Sequence, residues 1–446
     1  MNDDPAVLLT PLGREVLSRL VAAGAGGPGA GLALAERLRR EYPASLVAVA
    51  MAQQDLRVVA AAKFSRAADM LFTRAGYEQA SSEAIAVYRA ARLGNARRLA
   101  DLCCGIGGDL IALAAASGVL AVDRDETHAR LARHNAAVYG RTEHVTTVVA
   151  DVRDVSLAGI DAVFIDPARR SGAGTASAGA SAGTARRFRA GLSEPPLDWC
   201  AELTEKVPAV CVKAAPGLPE DLIPPGWEAE FIAEGRDLKE AVLWSPALAT
   251  APPPGPRGSS DRPRGSGAGP RGARGSSAGS GKASAGPRRA TVLAAAPAGC
   301  APRPATLTGR AGDPVPLREP GEYLLDPNPA VTRAGLVEDL ARDLGGAAKI
   351  DPEIAFLTLD RPVTTPFART LRVLESAPWN EKQFAKRLRD LGIGAVDIRR
   401  RGLAGDVDQI RRRLKLAGKD RATVVITRVS DRPWGLICVD PAVDPA

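Results

Sequence analysis

Lysine, methionine, histidine and the aromatic residues are all scarce in this 446-residue chain. It holds ten Lys beside 49 Arg, three Met, three His and only 4% Phe, Trp and Tyr. The surplus of Arg, Ala, Gly and Pro that replaces them is of the kind a GC-rich genome imposes and says little about function. The histidines, at 128, 134 and 144, and the six cysteines, at 103, 104, 200, 211, 300 and 438, form no CxxC pair and no ligand-spaced cluster. A zinc site and a disulfide framework are therefore not expected, no metal is called for, and a reducing compartment suits the chain. No apolar run reaches the ~18 residues of a membrane span. The N-terminus, MNDDPAVLLT, has acids where an export leader needs basic residues, so a cytoplasmic location is expected.

The formal net charge is +8, but its placement weakens the nucleic-acid reading that such a value invites. Residues 251–290 carry eight basic side chains and one acid, which supplies +7 and leaves the remainder near neutral. The segment is almost wholly Gly, Ser, Ala, Pro and Arg, with no apolar pattern to offset its backbone entropy. An insert over 251–288 is expected to be disordered, either as a weak polyanion contact or as a tolerated insertion.

The rest of the chain divides around it. Residues 1–95 read as helices. Thr10-Pro11 joins an N-cap to a proline at the first helical position, Ser45 opens an apolar-periodic stretch that runs toward Phe64, and Ser81-Ser82-Glu83 opens a third. From 96 to 250, short apolar runs alternate with helical patterns, which implies a parallel sheet with crossover helices. ATVLAA (290–295) begins a strand-and-connector segment over 289–320 and is expected to pair with LKEAVLW (238–244) across the insert. The remainder, 321–446, reads as a small α+β unit. Helix starts are expected at Pro329 and Asn380, and strands at 395–400, 423–429 and 435–440.

The chemistry concentrates in RLADLCCGIGGDLIALAAA (98–116). A buried-strand pattern runs into Gly105, Gly107 and Gly108, and a helix opens behind them. Glycines let the backbone turn sharply, and the freed amides at a helix N-terminus can face an anion. LAVDRD (120–125) then gives a second strand ending in Asp123, VTTVVADV (145–152) a third ending in Asp151, and IDAVFIDPARR (160–170) a fourth ending in Asp166-Pro167. Four successive strands each end in an acid, on the face where doubly wound sheets bind ligands. A dinucleotide site would show GxGxxG, yet no glycine stands three places after Gly107. Asp101 inside the first strand suits a ligand with an ammonium group, which favours S-adenosylmethionine over a nicotinamide cofactor.

DLCCGIGGDLIALA resembles the first motif of class I methyltransferases, and its CGxGGD form is similar to that of trimethylguanosine synthase-like RNA methyltransferases. The chain outside the insert is closer still to a bacterial group of methyltransferases with a THUMP-like C-terminal domain. The residues that carry this are KFSRAADMLFTRAGYEQASSE (63–83), DLCCGIGGD (101–109), DPARR (166–170), EPPL (194–197), VKAAPGLP (212–219), LKEAVLW (238–244), YLLDPNPAVTRAGL (323–336) and WNEKQFAKRLRDLGI (379–393). The resemblance implies an α/β fold, with a Rossmann-like seven-stranded sheet between a helical N-terminal domain and a small α+β C-terminal domain. It further implies S-adenosylmethionine as cofactor and RNA as substrate class, with protein or small-molecule methylation and a non-catalytic cofactor-binding adaptor as competing readings.

By the same resemblance, Asp101, Gly105 and Gly107 would hold the methionine end of the cofactor, Asp123 the ribose hydroxyls and Asp151 the adenine amino group. Asp166-Pro167 would stand beside the transferred methyl. Proline has no backbone N–H, so the acid and a free carbonyl form an acceptor pair suited to a nitrogen that carries protons. Amine-directed relatives place an aromatic ring after this turn, whereas here Ala168 and Arg169 follow. Arg169 and Arg170 could pair with a phosphate or stack on a base. Phe188 and Trp199 are the rings nearest in the next loop. Glu78, Ser81 and Ser82 sit in a segment expected to close over the cofactor, and Lys213 ends the fifth strand where substrate contacts occur. A charge of +6 over 370–446, concentrated in RRRG (399–402) and RRRLK (411–415), suggests a phosphate-facing patch.

Overall fold

The computed structural model describes residues 4–22, 30–169, 193–250, 286–403 and 405–441. The expected insert lies almost wholly outside the described residues, as do Arg170 and Phe188.

Three helices form the N-terminal layer: α1 (Pro11–Ala22), α2 (Ala30–Leu38) and α3 (Ala44–Ala60). The Thr10 hydroxyl accepts from the Gly13 amide and caps α1, as its sequence position suggests. Ser45 is no cap, because α3 starts from Pro43 without a side-chain bond. Two shorter helices follow. Thr73 caps α4 (Arg74–Gln79) and Ser82 caps α5 (Glu83–Arg92). Val16, Leu20, Val47, Phe64, Met70 and Phe72 form this layer's core, which also takes in Ile106 from the glycine turn and Leu131 from the helix behind the second strand. The N-terminal helices are thus built onto the glycine turn.

The main sheet begins with β1 (Arg98–Leu102), β2 (Gly118–Asp123), β3 (Val145–Val149) and β4 (Ala162–Ile165). Helices α6 (Leu110–Leu113) and α7 (Glu126–Val138) connect the first three. After β4 a small antiparallel pair, β5 (Ala168–Arg169) and β6 (Ser193–Glu194), precedes α8 (Leu197–Glu202). Then come β7 (Ala209–Ala214), β8 (Glu228–Glu234), β9 (Asp237–Trp244), β10 (Arg288–Leu293) and β11 (Pro304–Thr308). The sheet order is β11-β10-β8-β9-β7-β4-β1-β2-β3. The strands from β3 to β8 make up the expected seven, with β9 antiparallel to both neighbours. Two further strands extend the sheet beyond β8.

The expected pairing of 238–244 with 290–295 is corrected here. β8 and β9 form a hairpin closed by Glu234↔Asp237, and β9 also pairs with β7. Both edges of β9 are therefore occupied, and β10 adds in parallel to the free edge of β8. Arg288, placed at the end of the insert by composition, is already strand and stands level with Ala229.

The second sheet holds β12 (Tyr323–Pro327), β13 (Ala348–Lys349), β14 (Leu357–Leu359), β15 (Ala368–Pro378), β16 (Ile393–Arg400), β17 (Asp420–Val429) and β18 (Arg432–Val439). Its order is β13-β14-β12-β15-β18-β17-β16. Four helices accompany it: α9 (Pro329–Ala334), α10 (Val337–Leu344), α11 (Glu381–Asp390) and α12 (Val407–Leu414). Asn328 caps α9 and Asn380 caps α11, which matches the expected helix starts. The α9 residues Ala330 and Val331 share a core with Phe231 and Val292 of the main sheet. The Asn328 amide donates to the Gly235 carbonyl, and Arg236 pairs with Asp326 at 3.0 Å. The second sheet therefore rests on the β8–β9 side of the first.

Candidate cofactor and acceptor site

A cavity of about 840 Å³ opens at the carboxyl ends of β1, β2, β4 and β7, and the α4–α5 turn covers one side of it. Parallel strands feeding helices leave such a crevice where the chain turns out of the sheet. Asp101, Gly105, Asp123, Asp151, Asp166, Pro167 and Lys213 all line it.

Asp101 stands on β1, fully buried, and neither carboxylate oxygen has a hydrogen-bond partner. Burial, followed by the nearby charges of Asp109, Asp166 and Asp123, holds its pKa well above the ordinary carboxylate range. The turn after β1 is built on left-handed backbone: Cys103 has φ 64°, Gly105 53° and Gly107 83°. A Cβ at Gly105 would meet nothing within 4 Å, so its face is open to a ligand. Gly107 does not line the cavity. A Cβ there would stand 3.0 Å from the Ala132 Cα, and its glycine serves the close approach of α7 instead.

Asp123 ends β2 nearly buried. Its Oδ2 accepts from the Gly105 amide at 2.8 Å and its Oδ1 from the Asp125 amide at 2.9 Å, which braces the glycine turn from the next strand. Asp151 follows β3 and caps the short turn behind it. Its carboxylate also meets Arg153 at 3.0 Å, and Arg153 bonds to Glu194 as well. Asp166 follows β4 half-buried, with Oδ2 held at 2.6 Å by the buried Lys213 ammonium. Burial works against the charge on Lys213, but Asp166, Asp109 and Glu240 outweigh it and raise its pKa above the usual lysine value.

Several charged residues at the site had not been singled out from the sequence. Arg89 of α5 is buried and bonds to Asp109 behind the glycine turn, to Glu240 on β9, and to the Ser81 hydroxyl at 3.0 Å. Its guanidinium also lies over the Phe164 ring. An arginine in the last turn of an amphipathic helix, beside Arg92, reads as solvent-facing, and its carboxylate partners lie 20 and 151 residues away in sequence. Lys63 donates to the carbonyls of Tyr77 and Ala80 at 2.8 and 2.9 Å and so holds the α4–α5 turn. Glu78, Ser81 and Ser82 all line the cavity, as expected, but the Ser81 hydroxyl is bonded to Glu240 and Ser82 caps α5. Trp199 does not line the cavity. Its ring is half-buried beneath Arg153. The Arg169 backbone lies in β5, level with Ser193. Among the described residues no cluster of His, Cys, Asp and Glu could hold a metal ion, and no helix is long and apolar enough to cross a membrane.

Comparison with known proteins agrees with this arrangement. Two proteins from strains of Mycobacterium tuberculosis, each described as an uncharacterized S-adenosylmethionine-dependent methyltransferase, are 33% identical over 378 residues, covering 80% of this chain and 85% of theirs. The chain belongs to the S-adenosylmethionine-dependent methyltransferases. Within this methyltransferase, residues 96–182 are similar to the RNA cap guanine-N2 methyltransferase family and 368–439 to a THUMP domain-like family. Residues 2–60 match a domain family of unknown function. A crystal structure from Porphyromonas gingivalis W83, described provisionally as a methyltransferase, shares the fold with a TM-score of 0.68. It is 19% identical and the match covers 96% of this chain and 98% of that one.

The residues present fit the cofactor of this methyltransferase. The unpartnered buried carboxylate of Asp101 asks for a cation, and S-adenosylmethionine carries an ammonium. The open face of Gly105 leaves room beside it.

Proposed function

We propose that this methyltransferase acts on a nitrogen of an RNA base. The observation that carries the reading is the turn after β4. Asp166 lines the cavity with Oδ2 fixed on Lys213, which leaves Oδ1 as an acceptor, and Pro167 brings no competing N–H. An acceptor oriented in this way selects a group that carries protons, and a carbon or thiol target would not need it. The likeness of 96–182 to RNA cap guanine-N2 methyltransferases and of 368–439 to THUMP domains supports RNA as the substrate class.

When bound, S-adenosylmethionine supplies an activated methyl on its sulfonium, and transfer leaves the neutral thioether. The chain supplies binding and alignment. Asp101 and Gly105 take the methionine end, Asp123 the ribose hydroxyls and Asp151 the adenine amino group. Asp166 Oδ1 accepts from the target nitrogen and aims its lone pair, so that orientation and exclusion of water supply most of the rate. Arg169 and Arg170, directly after the turn, carry charge for the acceptor's phosphate, a role assigned from their place in the sequence.

The test is transfer of tritiated methyl into total RNA from a strain lacking the gene, followed by nucleoside analysis. A labelled N-methyl nucleoside is expected. Label confined to a nuclease-resistant protein or small-molecule fraction overturns the RNA reading. Asp166→Asn should bind the cofactor nearly normally and lose about 10²-fold in turnover.

A further inference from the structure

β4 and β7 are neighbouring parallel strands with Ile165 level with Val212, so the next residues, Asp166 and Lys213, stand side by side where the strands meet the cavity. Lys213 Nζ donates to Asp166 Oδ2 at 2.6 Å and also reaches the Gln79 carbonyl, 3.3 Å away in the last turn of α4. Lys63 grips the same turn through the carbonyls of Tyr77 and Ala80. Two of the ten lysines in a chain with 49 arginines therefore close on one short turn. The choice has a physical reason. Lysine places one compact charge between a carboxylate and a carbonyl, whereas arginine would spread its charge over a wide planar fork.

The groups that face Lys213 are Asp166 after β4, Asp109 after the glycine turn, Glu240 on β9 and, of like charge, Arg89 on α5 and Lys63 after α3. The three carboxylates keep the ammonium protonated against the cost of burial, so Lys213 is a fixed cation and not a general base.

We infer that Lys213 is a positioning residue that clamps Asp166 in one orientation and locks it to the 77–80 turn, so that Oδ1 alone is presented to the acceptor. The inference rests on the assignment of Asp166 as the group that aligns the target nitrogen. It gives the N-terminal helices a part in the acceptor site, because the turn held by Lys213 belongs to them.

The test uses the full-length protein, tritiated-methyl S-adenosylmethionine and the lysate fraction that the wild-type protein labels. Lys213→Met, Lys213→Arg, Asp166→Asn and the double variant Lys213→Met/Asp166→Asn are compared. Lys213→Met should bind the cofactor as the wild type does and lose about 10²-fold in kcat with little change in KM, the size of effect that small misplacement causes. Lys213→Arg should recover part of the loss. The double variant should be no slower than Asp166→Asn, since Lys213 acts through that carboxylate.

A rise in KM alone in Lys213→Met, or multiplicative losses in the double variant, would overturn the clamp and make Lys213 a substrate contact. Full activity in Lys213→Met beside a slow Asp166→Asn overturns the clamp alone. Full activity in Asp166→Asn overturns the acceptor assignment and the clamp together. If Lys213→Met does not fold, Lys213→Gln, which keeps a donor, carries the same comparison.

Discussion

At Asp101 a carboxylate is shut away from water with no donor to meet it. Burial raises its pKa, so the folded value lies above the unfolded one. Its contribution to stability is then present below the ordinary carboxylate range, about pH 4, and is lost as pH rises through the folded value. Asp101→Asn should therefore raise the melting temperature of the cofactor-free protein at neutral pH. It should also weaken S-adenosylmethionine by about 1.5–3 kcal/mol, the worth of a hydrogen bond to a charged group. Calorimetry in two buffers of different ionisation enthalpy should show a proton released on binding, and none in Asp101→Asn. Asp123→Ala should lower affinity by about 1–3 kcal/mol and also lower the melting temperature, since Asp123 braces the Gly105 turn as well as facing the cavity. Unchanged affinity there removes Asp123 from the cofactor site. Asp123, Asp151 and Asp166 were legible in the sequence because each ends an apolar run where the chain leaves a strand, and Asp101 because an acid inside a buried strand is out of place. Cys103 was not, because a left-handed φ leaves no mark on a residue that is not glycine. Gly107 was legible as a turn former, but whether its missing side chain makes room for a ligand or for a helix depends on Ala132 of α7.

At the scale of elements, α5 is tied to the main sheet through Arg89. The helix has an ordinary amphipathic pattern, yet one cation on it answers Asp109 and Glu240 together. Arg89→Met should cost about 3–5 kcal/mol in a denaturant melt, because it strands two buried carboxylates. A loss below 1 kcal/mol would mean that those acids take up protons or water at little cost. Strand existence and direction were readable from periodicity through most of 97–247, and so was the α+β character of the tail. Strand neighbours were not. β9 and β10 share an apolar pattern that would allow them to pair, and the outcome is decided by the tight β8–β9 hairpin, which occupies β9 before the chain returns. The short strands β13 and β14 are too brief to leave a period of their own.

For the molecule as a whole, the two flanks of residues 251–285 converge on one side chain. Glu228 of β8 accepts from the Thr250 amide at 2.8 Å and from Arg289 of β10 at 2.7 Å. Both ends of the excursion are therefore held at the same point, and a short Gly/Ser link should replace 251–285 without changing melting temperature or cofactor affinity. A deletion carried on to residue 290 should be destabilising, because Arg288–Leu293 is strand. A fall in melting temperature with the shorter deletion would show that the segment packs.

The pairing of β10 with β8 also sets an order of events during translation. When β8 leaves the ribosome its outer edge has no neighbour, and it waits until 288–293 have been made, which at 5–20 residues per second is several seconds. An apolar edge left open for that long invites strands from other nascent chains. Glu228 and Glu230 belong to that strand; Arg92, made earlier in the chain, pairs with both, whereas Arg289 reaches Glu228 only once β10 has been made. Until then Glu228 lacks one of its two arginines, and a foreign strand pairing there would have to desolvate its charge. Glu228→Gln, which keeps the shape and removes the charge, should raise the fraction found in inclusion bodies, most of all when synthesis is fast.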